Sequence, residues 1–160
     1  MTVQTLGMAF WKTSLIEAAD ELAQTSLGYE PVVVTEATFP LPRDLPGSYV
    51  ALVGAEYSYE FGFAARWEHC EGLVKRMLFM EPDEEVTQDF IADAMNELAN
   101  MIGGGVKRRM VEFDTTLKLG LPVFFNGTVH PTALQERTCS VVSFGDYPVH
   151  LIALRHKSPV

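Results

Sequence analysis

The chain has 160 residues, 48% of them hydrophobic and 21% charged, and its 21 acidic against 12 basic side chains leave a formal net charge of −9. That length fits one domain and that apolar fraction fills a core, which excludes a disordered tail or a disulfide-stapled miniprotein. The acid excess argues against nucleic acid or an anionic membrane as partner, since both are bound through a basic face; the expected partner is neutral or basic.

The first residues, MTVQTLGMAFWK, show no basic segment ahead of the apolar ones and no cleavage-like run of small residues after them, so no signal peptide is expected. From about Gly7 to Ser26, Met8, Trp11, Leu15, Ala18 and Leu22 recur every three or four residues, the spacing of an amphipathic helix that Gly28 would close. Three short runs follow, PVVVTEATF, SYVALVGA and SYEFGFAARW, β-branched or aromatic and separated by Pro40, Pro42, Pro46 and Gly54. They predict three strands in an antiparallel meander. His69 to Met80 predicts a short second helix that ends before Pro82. A long third helix is expected from about Glu84 to Met110, with Asp83, Glu84 and Glu85 at its positive end and Lys107, Arg108 and Arg109 near its negative end.

Beyond it, LPVFFNGTVHP, TCSVVSF and VHLIALRH predict three more strands, with Asn126-Gly127 and Gly145-Asp146 as turns. The order of helix, three strands, two helices and three strands predicts an α+β fold: a mainly antiparallel six-stranded sheet with helices packed on it, in one domain over residues 1–160. Apolar runs such as Pro31 to Val34 and Leu121 to Phe125 fall far short of the ~18 residues a membrane span needs, so no membrane association is expected. Cys70 and Cys139 supply neither a disulfide framework nor a pair at metal-ligand spacing, which suits a reducing, cytoplasmic setting.

On the long helix, at about 100° per residue, Phe90, Ile91, Ala94, Met95, Leu98, Ala99, Met101, Ile102, Gly105 and Val106 share one half-circle, with Phe90 at its edge, and that half should pack on the sheet. The opposite arc holds Asp89, Asp93, Asn96, Glu97, Asn100, Gly104 and Lys107. An outward row of acids and amides is the usual solvated face of a surface helix. Asn100 is less usual: a poor helix former placed mid-helix without a capping duty, which leaves a selected role for its carboxamide open.

Asp93-x-x-x-Glu97-x-x-Asn100, followed by Met101-Ile102-Gly103-Gly104-Gly105 and Lys107 and then by Pro122, resembles the signature of the CheC/CheX/FliY family of chemotaxis phosphatases. The family pattern is acid or serine, three residues, Glu, two residues, Asn, and a later Pro; here 21 residues separate Asn100 from Pro122, one fewer than the pattern has. The single full copy of the motif, the chain length and the element order resemble CheX more than the two-motif CheC. The resemblance implies a phosphatase that removes the phosphoryl group from the aspartate of a CheY-like receiver domain. It implies that Asn100 inserts into the receiver's active site and orients the attacking water, that Glu97 docks against the receiver's basic residue, and that Asp93 is an outer contact. The receiver would bring its own Mg²⁺, so no cofactor is expected on this chain. Such a site mainly needs to place a water, work an amide can do. The alternative is a non-catalytic chemotaxis or flagellar adaptor that keeps the fold and binds a receiver or receptor-modifying partner.

Glu17-x-x-x-Glu21-x-x-Gln24 on the first helix echoes the motif with Gln for Asn and would be a second, weak site if it worked. The Gly103 to Gly105 run lies within helical periodicity and so reads as close packing or a kink instead of a phosphate loop. His69, His130, His150 and His156 show no metal-site spacing, and Asn126-Gly127-Thr128 reads as a turn. A homodimer is expected from the resemblance and from the apolar runs TCSVVSF and VHLIALRH, which would tend to pair if either formed an unprotected edge.

Overall fold

The computed structural model describes residues 6–127, 129 and 131–158. Helix α1 runs Met8–Thr25 and buries Trp11, Leu15, Ala18 and Leu22, four of the five residues that its periodicity marks, together with Ser14, Ala19 and Ala23; Met8, the fifth, is half-buried. Gly28, at φ +67°, reverses the chain, and the N–H of Tyr29 bonds back to the carbonyl of Ala23 at 2.9 Å. Strands β1 (Val34–Glu36), β2 (Gly47–Val53) and β3 (Tyr57–Ala64) follow, then α2 (Trp67–Met77) and α3 (Gln88–Met110), then β4 (Lys118–Leu119), β5 (Val123–Phe125), β6 (Glu136–Phe144) and β7 (Tyr147–Lys157).

The class is the expected one, α+β with a large antiparallel sheet, but the sheet has seven strands where six were expected. The extra strand is the two-residue β4, too short to show any alternation. The order is β1-β6-β7-β3-β2-β4, and β5 pairs with β2 beside β4. The expected meander is therefore only half right: β2 and β3 form a hairpin, while β1 sits at the far edge against β6. The link between β1 and β2, residues 37–46, is too long for a hairpin turn; its Pro40, Pro42 and Pro46 lack the N–H a ladder needs, and the segment crosses the outer face of the sheet. Its Leu41 and Leu45 pack there on Ala64, Cys139, Ile152 and Leu154 as a second, smaller core.

The inner face carries the main core. Alternate residues of β2 and β3, Val50 and Leu52 with Tyr59, Phe61 and Phe63, point towards the helices, and Trp11 stacks on Tyr59 with ring centroids 3.7 Å apart. Helices α1 and α3 lie antiparallel, with Phe10 edge-on to Phe113 at 5.5 Å and Ser14 beside Met110. The β6–β7 hairpin turns through Gly145-Asp146 as expected, with Gly145 at φ +59°. Both apolar runs proposed as sheet edges are interior: β6 lies between β1 and β7, and β7 between β6 and β3.

Helix α3 starts four residues later than expected. The hydroxyl of Thr87 caps it by accepting the N–H of Phe90 at 3.2 Å, so Asp83 to Glu85 lie in the preceding link, and Asp89 is the acid of the first turn. Of LPVFFNGTVHP only Val123–Phe125 is strand; Thr128 and His130 lie outside the described residues.

Candidate functional site

Ten residues of α3, from Ile91 to Met110, are buried against the sheet and α1. This fixes the helix rotation and leaves Asp93 and Glu97 exposed and Asn100 half-exposed, on one outward face. All three candidate residues thus share a row, at the spacing of neighbours on a helix surface. Neither Asp93 nor Glu97 forms an ion pair among the described residues, and the carboxamide of Asn100 has no hydrogen bond to them. Pro122 stands in the link between β4 and β5, the two strands that pair with β2 below α3.

The three glycines after Asn100 differ in surroundings. A Cβ at Gly103 would come within 2.7 Å of Val50 Cγ1 and 3.0 Å of Leu119 Cδ1, and one at Gly105 within 3.0 Å of the Cβ of Ala18. Those two glycines permit close approach of α3 to the sheet and to α1. At Gly104 a Cβ would meet only Arg108 Nη1, at 3.9 Å. Gly104 lies one turn beyond Asn100 on the same face, so it leaves bare backbone next to the carboxamide.

Two residues assigned to the packed half of α3 are surface residues instead: Phe90 is 44% and Met101 36% exposed. Periodicity ranks positions around a helix but does not say how wide an arc is covered. Antiparallel α1, with Ala18 level with Gly105, ends at Thr25 before it reaches the level of Phe90. That leaves Phe90 uncovered; Met101, within the span of α1, is exposed at the border of the polar row. Asn96, expected on the outward arc, is half-buried, and its Oδ1 accepts a 2.7 Å hydrogen bond from the hydroxyl of Ser48 on β2. Ser48 was invisible to motif reasoning because the link is made across the fold, between residues 48 apart in the chain.

The echo motif on α1 is occupied. Glu21 bonds Arg109 at 2.8 Å and lies 3.7 Å from Arg108, and Glu17 lies 3.5 Å from Arg109. The Arg109 hydrogen bond holds the Glu21 carboxyl below its ordinary range. Gln24 is exposed beside this cluster.

Both cysteines, Cys70 and Cys139, are free and buried. Burial pushes the Cys70 thiol up to about 12 and the Cys139 thiol to about 11, far from a reactive thiolate. Among the described residues no three His, Cys, Asp or Glu side chains come together as a metal-binding group. None of the described helices is long and apolar enough to cross a membrane.

With this geometry in view, comparisons with known proteins place the fold. The chain is similar to the chemotaxis protein CheX from Vibrio vulnificus, with a TM-score of 0.72 at 17% identity over 94% of this chain and 98% of that one. It is similar to CheX in a CheX-CheY-BeF3-Mg complex from Borrelia burgdorferi, with a TM-score of 0.75 at 16% identity over 91% and 97%. It is more distantly similar to the FliM middle domain from H. pylori, with a TM-score of 0.59 at 6% identity over 89% and 85%. A comparison with curated protein sequences finds no match. The fold is thus that of the CheC/CheX class of chemotaxis proteins. Within it, the model of the family described as chemotaxis phosphatase CheX matches residues 48–145, and the chain belongs to that family.

Proposed function

We propose that this chain hydrolyses the aspartyl phosphate of a CheY-like receiver domain in the cytoplasm, with α3 as the element that enters the receiver's active site. The observation that carries the reading is the outward row of Asp93, Glu97 and Asn100, in which the Asn100 carboxamide is unengaged among the described residues and Gly104 leaves room beside it. Asn100 accepts an O–H of a water and holds its oxygen in line with the phosphorus. The O–P bond forms as the bond to the receiver's aspartate breaks; the carboxylate leaves with the electron pair, and the water's proton passes to the phosphate or to solvent. Charge on the phosphoryl group is neutralised by the receiver and its Mg²⁺, so this chain contributes position. Glu97 docks against the receiver's basic residue, Asp93 makes an outer contact, and Phe90 and Met101 add apolar contact alongside. We further infer that the chain works as a homodimer.

The test is the decay of phosphorylated receivers from the same organism, with and without the protein. Asn100→Ala should abolish the acceleration while leaving receiver binding and thermal stability near wild type, because it removes an outward carboxamide and no core contact. A stability loss of about 2 to 5 kcal/mol, the range for a core truncation, would mark Asn100 as structural instead. Glu97→Ala should weaken association with a beryllofluoride-activated receiver. Binding of the receiver by the wild-type protein without any turnover would select the adaptor reading.

A further inference from the structure

Ser48 is fully buried on the inward side of β2, in line with Val50 and Leu52. A hydroxyl in such a place is costly unless bonded, and an apolar side chain would fill it more cheaply. Its hydrogen goes to Oδ1 of Asn96, at 2.7 Å. Asn96 stands one helical turn before Asn100. Residues four apart on a helix are neighbours, close enough for amide side chains to hydrogen-bond. An Asn96 carboxamide released from β2 would have the carboxamide of Asn100 within its reach, and each bond between the two takes a donor or acceptor away from the water. With Oδ1 held by Ser48, the Asn96 amide is turned to the sheet.

We propose that Ser48 is a positioning residue for the hydrolysis: by holding Asn96 against β2 it keeps the carboxamide of Asn100 free to orient the attacking water. This inference rests on the reading of Asn100 as the water-orienting group. It separates Ser48 from an ordinary core residue, because it assigns the harm done by losing Ser48 to Asn96 and not to a looser fold.

The experiment compares wild type, Ser48→Ala, Asn100→Ala and the double variant Ser48→Ala/Asn96→Ala. Two readouts are needed: kcat and KM on a phosphorylated receiver, and the side-chain amide NMR signals of ¹⁵N-labelled protein. Ser48→Ala should lower kcat about three- to tenfold with KM unchanged, the range set by the net worth of one amide hydrogen bond. It should also shift the Asn100 amide signals. Adding Asn96→Ala should bring kcat back to within about twofold of wild type and return the Asn100 signals towards their original positions, since the competitor is gone. A double variant no faster than Ser48→Ala, or Asn100 signals unmoved in Ser48→Ala, overturns the positioning role and leaves the reading of Asn100 standing. Full turnover by Asn100→Ala sinks that reading, and the role of Ser48 with it.

Discussion

Gly103, Gly104 and Gly105 follow one another in α3 for different reasons, and the difference can be measured. Gly in a helix interior costs roughly 0.5 to 1 kcal/mol relative to Ala, so a glycine without a packing reason is one the fold could replace at a gain. Gly104 is such a residue, with only the end of the Arg108 side chain, at 3.9 Å, near the place of a Cβ. Gly104→Ala should stabilise the protein by about that amount, and Gly104→Leu should keep the fold yet slow receiver dephosphorylation by blocking approach to Asn100. Unchanged turnover in Gly104→Leu would show that the receiver does not come close there. The echo row on α1 gives the opposite expectation. Its acids are spent on Arg108 and Arg109, and a glutamine adds a methylene and a torsion to the amide. Misplacement near 1 Å costs ~10²-fold in rate. Gln24→Ala should therefore keep nearly full activity, and a variant at half the wild-type turnover would establish a second working site.

At the scale of elements, α3 is held where it is by two glycine contacts, one to the sheet and one to α1. Gly105→Val would drive two methyl groups into Ala18, whose Cβ is already within 3.0 Å of an added Cβ. Overpacking of this kind costs about 1 to 3 kcal/mol, so the melting temperature should fall by roughly 2 to 12 °C, and calorimetry that finds no loss would show that α1 can move aside. How far such elements could be read from the sequence depended on how local their cause was. The periodicity of α1 named four of the seven residues it buries, missing the small Ser14, Ala19 and Ala23, and the row on α3 followed from the same arithmetic. The start of α3 was misplaced because an acidic cluster and a hydroxyl cap both mark helix beginnings, and Thr87, not Glu84, closes the first turn. The seat of β1 was illegible, since pairing with β6 joins residues about a hundred positions apart. So was the tie from Ser48 to Asn96, while the exposure of Phe90 depended on where α1 ends.

For the whole molecule, the interior positions of β6 and β7 change how a dimer could form. The exposed edges are β1 on one side and β4 with β5 on the other. Val33 is 67% and Val34 42% exposed, and a second copy pairing along β1 would cover them. Sedimentation at micromolar concentration should show a dimer that Val34→Lys weakens; a wild-type species of one chain's mass would contradict the proposal. The same topology governs the order of assembly. Among the described elements, strand β7 comes last, yet it lies between β6 and β3 and joins β1–β6 to the β3–β2 hairpin. On a translating ribosome, which adds roughly 5 to 20 residues per second, the first six strands emerge before the strand that unites them. Until then the edges of β3 and β6 stand open, and Phe61, Phe63, Val142 and Phe144 lack the partner that buries them. A nascent chain stalled before Tyr147 leaves the tunnel should be cut by protease throughout its length, and resistance should appear in one step once Lys157 is clear. Protection gained earlier would reveal a stable partial sheet.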